Sequence, residues 1–209
     1  MLINIEGIQA FCQTIRNPRR IIPHATFPTF SQIPCNINYF LEQKFQVPVD
    51  IRALVLDKDN CITLPNETTI AEAELKKIRE FQNIYGEKNV ILLSNSIGTR
   101  KLDPTGELAA HFQQKWNIPV VRHSKLKPLC TEELYTYLSN NSHVSSASQI
   151  LFIGDRLLTD ITLANIMGSW GVWLTRGVGN TTNMMMEVES WLYKRIHTQN
   201  PYIPTNRKS

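Results

Sequence analysis

Residues 53–61 read Ala53-Leu54-Val55-Leu56-Asp57-Lys58-Asp59-Asn60-Cys61, a four-residue apolar run joined directly to two carboxylates set two positions apart. A short, unbroken apolar run predicts a strand buried on both faces, as in a parallel sheet. Further runs of the same kind occupy 90–93, 119–121, 150–153 and 171–174. Helical stretches fall between them. The first opens on Thr69-Ile70-Ala71-Glu72, which reads as a capping box, and reaches about Tyr85, where Gly86 closes it. Others are expected over 106–116, 131–138, 159–166 and 184–197. Parallel strands need crossovers, and crossover helices cover both faces. The expected fold is therefore α/β, a three-layer doubly wound parallel sheet of about five strands.

The wider composition agrees. The chain has 209 residues, 42% of them hydrophobic and 19% charged, which suits one globular unit with a core of ordinary size. Disorder, collagen and disulfide miniproteins are excluded. A formal charge of +4 suits anionic substrates or lipid surfaces and is too weak an excess to argue for nucleic acid. Cys12, Cys35, Cys61 and Cys130 form no CxxC pair, so neither a zinc site nor a disulfide framework is signalled. No stretch approaches the roughly 20 consecutive apolar residues of a membrane-spanning helix.

Three units are expected. Residues 1–50 form an amino-terminal helix and a Pro-rich lead-in with a short helix near 36–44. Ile5, Ile8, Cys12 and Ile15 fall at helical spacing before Arg16, Arg19 and Arg20. That pattern suits a mitochondrial targeting helix, a membrane-facing interfacial helix or a helix packed on the core. Residues 51–197 form the core, and 198–209 a frayed polar tail.

Ligands of open α/β sheets bind beyond the carboxyl ends of the strands, so the residues after each run carry the chemistry. They are Asp57-Lys58-Asp59-Asn60, Ser94-Asn95-Ser96, Arg122-His123-Ser124-Lys125-Leu126-Lys127-Pro128, and Gly154-Asp155-Arg156 with Asp160 following. Converged at one edge, these carboxylates repel one another and call for a cation, and hard oxygen donors favour Mg²⁺. Asp57 and Asp155 are the natural ligands. Asp57 is also placed as a nucleophile on phosphorus, Asp59 as the acid and base, Ser94 as a donor to phosphoryl oxygens, and Lys127 as the offsetting charge. Lys125 competes with Lys127 for that last role, and the following Pro128 favours Lys127.

This order of segments resembles the four motifs of the haloacid dehalogenase-like (HAD) phosphatases. More narrowly, Leu56-Asp57-Lys-Asp-Asn-Cys61, Val121-Arg-His-Ser124 and the stretch from Gly154 through Asn165 to Ser169 resemble the fungal mitochondrial phosphatidylglycerophosphate phosphatases. The resemblance spans about 23–179. It implies a HAD-like core and Mg²⁺-dependent hydrolysis of phosphatidylglycerophosphate to phosphatidylglycerol, a step toward cardiolipin, by a peripheral protein on the matrix side of the mitochondrial inner membrane. It implies further that Asp57 and Asp155 bind the metal, that Asp59 binds it through its backbone carbonyl, and that Asp160 supports the site from behind. Cys61 departs from the Thr or Val common at its position in the superfamily.

Access also follows from spacing. The stretches after Cys61 and after Ser96 are too short to insert a cap domain, so an open site is expected, suited to a headgroup protruding from a bilayer. Lys58, Asn95, Arg122, His123 and Arg156 are candidates for contacting that headgroup, and Asn165 for holding the fourth-motif loop. The expected partners are phosphatidylglycerophosphate and an anionic membrane lipid surface, with no nucleic acid, and a homo-oligomer is left open. Two alternatives stand beside this reading: a phosphatase for a soluble phosphate ester, and a catalytically silent membrane-associated scaffold.

Overall fold

The computed structural model describes residues 17–142, 144–178, 184–196 and 199–205, with the side chains of 184–186 left out. The expected amino-terminal helix lies outside these residues. Five parallel strands form one sheet: β1 (Ala25–Phe27), β2 (Ala53–Leu56), β3 (Val90–Leu92), β4 (Ile150–Gly154) and β5 (Trp170–Leu174). Their spatial order is β1-β5-β4-β2-β3. The chain runs from β2 out to β3, then returns to the other side of β2 to form β4. The crevice between the carboxyl ends of β2 and β4 is thus the topological switch point, where such sheets bind ligands.

Side chains alternate across the strands, and each face has its own helices. Leu54, Leu56, Val90, Leu92, Leu151 and Ile153 pack on one face with Ile37 and Leu41 of α1 (Ile37–Phe45), Ile78 and Phe81 of α2 (Glu72–Tyr85), and Phe112 of α3 (Glu107–Trp116). Ala53, Val55, Ile91, Ile150 and Phe152 pack on the other with Leu134 and Leu138 of α4 (Thr131–Asn141) and Leu163 of α5 (Thr162–Met167). The last helix, α6 (Met184–Ile196), sets Leu192, Tyr193 and Ile196 against Ile21, Leu157, Ile161 and Trp173. The three layers are those expected.

Three details differ from expectation. First, 119–121 forms only an isolated bridge at Val120 beside Leu92. The Leu92 N–H donates to the Pro119 carbonyl and the Val121 N–H to the Leu92 carbonyl, after which the chain turns to pair His123 with Thr99. The fifth strand is instead β1, an edge strand in the lead-in, in register with Val172–Leu174. Second, the capping box does not form. Ile70 is bridged antiparallel to Thr63, which keeps the chain extended there, and α2 begins at Glu72 behind Ala71 with no side-chain cap. Third, the tail is not frayed over 199–205, because Ile203 packs on the core and the Tyr202 backbone is held by His24.

His24 fastens these additions. It is fully buried, accepts from the Gly171 N–H at 2.9 Å through Nδ1, and lies 2.6 Å from the Tyr202 carbonyl through Nε2. Accepting at one nitrogen and donating at the other fixes a neutral imidazole. Burial, helped by the nearby Lys44 ammonium, lowers its pKa to about 4 against the pull of the Tyr202 carbonyl. The unfolded chain therefore takes up a proton here first as pH falls from 6.5 to about 4, and stability drops with pH across that window. The expected loss is roughly 3 kcal/mol. Urea unfolding at stepped pH measures it. His24→Gln, whose amide can still accept and donate, is expected to remove that part of the slope.

Candidate active site

The site is built where β2 ends. The Asp57 N–H donates to the Ile153 carbonyl at 2.9 Å, continuing the ladder with β4 and turning the carboxylate into the switch-point crevice. Lys127 enters from the loop before α4 and donates to Asp57 Oδ1 at 2.5 Å and to Asp160 Oδ1 at 2.6 Å. Asp160 is fixed by a second bond, its Oδ2 accepting from the Arg156 N–H at 3.2 Å. The approach is close enough that a Cβ on Gly154 would stand 2.3 Å from that oxygen, so only glycine fits between Ile153 and Asp155.

Asp155 completes the cluster. Carboxylate oxygens of Asp57, Asp155 and Asp160 lie within 4.8 Å of one another, and all three residues line or underlie the crevice. Asp155 Oδ1 is buried without a hydrogen-bond partner. Burial, with the neighbouring Asp57 and Asp160, holds the Asp155 carboxyl well above the usual carboxylate range. Burial likewise pushes Asp57 up to about 6 against the attraction of Lys127. Burial works against the Lys127 ammonium too, but Asp160 and Asp57 outweigh it and keep the lysine protonated. Three carboxylates against one ammonium leave an excess of negative charge. An orphaned hard oxygen in such a cluster fits a divalent cation.

Asp59 sits beside this cluster and is held on two sides. Its Oδ1 accepts from Lys58 Nζ at 2.5 Å and from the Asn66 N–H at 3.0 Å, and its Oδ2 from Ser96 Oγ at 2.5 Å. Ser96 Oγ is in turn 2.8 Å from Ser94 Oγ. Asp57, Asp59, Asn60, Pro65, Asn66, Asn95, Lys127, Asp155, Arg156 and Thr159 enclose a cleft of about 260 Å³.

Several expectations are corrected by this geometry. Lys58 is 1% exposed and spans Asp59, the Glu67 carbonyl and Thr63, so it braces the loop and does not face a headgroup. Arg122 donates to the carbonyls of Asp103, Pro104 and Thr105, and the His123 ring bridges the Lys125 and Ser94 carbonyls. Both tie loops together. Ser94 is fully buried and turned toward Ser96, so its hydroxyl reaches Asp59 through Ser96 and does not open on the cleft. Asn95 lines the cleft, but its Oδ1 accepts from the Lys127 N–H and sets the lysine loop. Asn165 binds the carbonyls of Arg20 and Ile22, holding the lead-in and not the fourth-motif loop. Arg156 lines the cleft wall, beside Glu189 at 3.6 Å.

Two residues were not anticipated. Ser96 could have been found, since it stands two positions beyond Ser94 in the same polar strand end. Glu189 carried no signal. It lies in α6, fully buried, and caps the turn after Asp155 by accepting from the N–H groups of Leu157 and Leu158.

A parallel sheet with an aspartate at its switch point, a lysine shared between two carboxylates and a second acid two residues on is the arrangement that the resemblance to HAD phosphatases leads one to expect. Residues 5–179 match the family model described as mitochondrial PGP phosphatase, and the chain belongs to that family. It is 34% identical over 191 residues to the mitochondrial phosphatidylglycerophosphatase GEP4 of Saccharomyces cerevisiae, covering 91% of this chain and 97% of that one. The chloroplastic phosphatidylglycerophosphate phosphatase 1 of Chlamydomonas reinhardtii is 33% identical over 56% of this chain and 42% of its own length. The chloroplastic/mitochondrial enzyme of that name from Arabidopsis thaliana is 28% identical over 79% and 44%.

The lysine is the cluster's internal counterion, and its removal tests that directly. Lys127→Met is expected to cost on the order of 3–5 kcal/mol in unfolding free energy, as for a buried pair that loses one partner. Equilibrium urea denaturation of the metal-free protein at neutral pH measures it.

Proposed function

We propose that this protein hydrolyses the phosphate monoester of phosphatidylglycerophosphate to phosphatidylglycerol at the matrix face of the mitochondrial inner membrane, a step toward cardiolipin. The observation that carries the reading is the Lys127-bridged Asp57 at the switch point, in a chain that aligns with a mitochondrial phosphatidylglycerophosphatase along almost its whole length. No helix among the described residues is long and apolar enough to cross a membrane, which accords with a peripheral enzyme.

In this reading Lys127 holds Asp57 Oδ1, leaving the other carboxylate oxygen to attack phosphorus. The bond from phosphorus to the glycerol oxygen breaks, its electron pair goes to that oxygen, and Asp59 supplies the proton. Phosphatidylglycerol leaves, and Asp57 carries the phosphoryl group. Asp59, now ionised, takes a proton from water as the water oxygen attacks phosphorus, the bond from phosphorus to the Asp57 oxygen breaks with its electron pair returning to the carboxylate, and phosphate and free Asp57 result. Ser96, Lys58 and the Asn66 N–H keep the Asp59 carboxyl at the mouth of the cleft through both steps. Lys127 offsets charge on the phosphoryl oxygens.

Mg²⁺ is the proposed cofactor, held by Asp57, Asp155 and the Asp59 backbone carbonyl, and when bound it stabilises charge on the transferring phosphoryl group. Asp160, with both oxygens already engaged, acts from behind by anchoring Lys127.

Phosphate release from long-chain phosphatidylglycerophosphate in mixed micelles, with Mg²⁺ and then with excess chelator, tests the reading. Release that stops on chelation is expected, and Asp57→Asn should fall to background while melting as a folded protein. Release from water-soluble esters alone would assign a soluble substrate, and no release from either would leave the scaffold reading.

A further inference from the structure

The connection from β3 to α3 is a built knob on the same edge of the sheet as the cleft. Asp103, buried at its centre, accepts from the N–H groups of Gly98 at 3.0 Å, Ala109 at 2.9 Å and Leu108 at 3.2 Å, pinching the loop shut. Arg122 fastens it from outside through the carbonyls of residues 103–105. Gly106, at φ +81°, makes room for that guanidinium, since a Cβ there would stand 1.3 Å from it. The loop is therefore held rigid from both sides.

What this scaffold presents is apolar. Leu102 is 57% exposed and Leu108, in the first turn of α3, 48%. Single exposed leucines are ordinary, and this pair is informative for its setting. Arg100 and Lys101 precede Leu102, and Lys125 and Arg176 are also exposed beyond the carboxyl ends of the strands, against Glu67 and, in the first turns of their helices, Glu72, Glu107 and Glu132 as exposed acids. Apolar side chains on a rigid loop, with two exposed cations directly before Leu102, suit the boundary between acyl chains and anionic headgroups. Ser96, three residues before Thr99, touches Asp59, so a bilayer meeting this loop would also meet the edge that carries the cleft.

We propose that the 99–108 loop is the surface that docks this protein on an anionic bilayer, with Leu102 and Leu108 entering the interface and Arg100 and Lys101 meeting lipid phosphates. The proposal rests on the lipid reading above. A leucine buried in lipid and a pair of cations against anionic headgroups each contribute enough for about a tenfold change in binding.

The test is sedimentation of the full chain with phosphatidylcholine vesicles, with and without phosphatidylglycerol. Activity on p-nitrophenyl phosphate serves as the check on folding. Wild type is expected to bind only the anionic vesicles, with affinity that falls as salt rises. Leu102→Asp, and separately Arg100→Glu with Lys101→Glu, are expected to bind about tenfold more weakly and to lose turnover on lipid in vesicles, with soluble-substrate activity unchanged. Binding equal to wild type in both variants overturns the proposal. So does Leu102→Asp splitting a wild-type oligomer in analytical ultracentrifugation while vesicle binding persists, since the face would then join copies of this chain. Wild type that binds anionic vesicles through this loop yet releases no phosphate from phosphatidylglycerophosphate would support the surface and overturn the lipid-phosphatase reading alone.

Discussion

Three carboxylates are buried within 4.8 Å of one another at the switch point, with the Lys127 ammonium among them. Charges in such a place cost several kcal/mol each unless they are paired. Much of the surrounding structure serves that pairing. Gly154 is small so that Asp160 can reach Lys127, and Asn95 accepts from the Lys127 N–H so that the lysine points inward. The charge left over after Lys127 is counted is what gives a divalent cation a reason to bind.

The same constraint links the site to distant parts of the chain. Asp155 and Arg156 open a tight turn whose N–H groups must be satisfied, and Glu189 of α6 does this from more than thirty residues away. α6 in turn packs on Ile21, Leu157 and Trp173. Asn165 ties α5 to the carbonyls of Arg20 and Ile22, and His24 ties β1 to β5 and to Tyr202. The lead-in and the tail are therefore not appendages to the core. They close the β5 side of the sheet, and α6, packed on the lead-in, braces the turn that carries Asp155.

This explains which parts were legible in the sequence. β2, β3, β4 and β5 are central or doubly buried strands, so they read as unbroken apolar runs. β1 is a three-residue edge strand among prolines, and its membership of the sheet depends on pairing with β5, which no local pattern records. The run at 119–121 has the right residues but makes its hydrogen bonds at a single register beside β3. Order along the chain was enough to bring Asp57, Asp59, Lys127 and Asp155 together, because strand ends in a parallel sheet must share an edge. Glu189 could not be read, because nothing in a helical glutamate says that it will be buried against another element's N–H groups.

The basic side chains beside the motifs show where such reading stops. Lys58, Arg122 and His123 each follow an apolar run and have the chemistry to meet a phosphate, yet each is used to hold backbone in place. A loop that must carry a carboxylate in a fixed direction needs its own carbonyls and side chains satisfied, and long polar side chains nearby are the groups able to do it. Once they are so used, they are not available to substrate. Among the described residues of the cleft wall, only Arg156 keeps a partly exposed guanidinium, flanked by Asn66, Asn95 and Thr159. Attraction for the rest of an anionic lipid falls to the exposed cations along the edge, outside the cleft, where they can act without being buried.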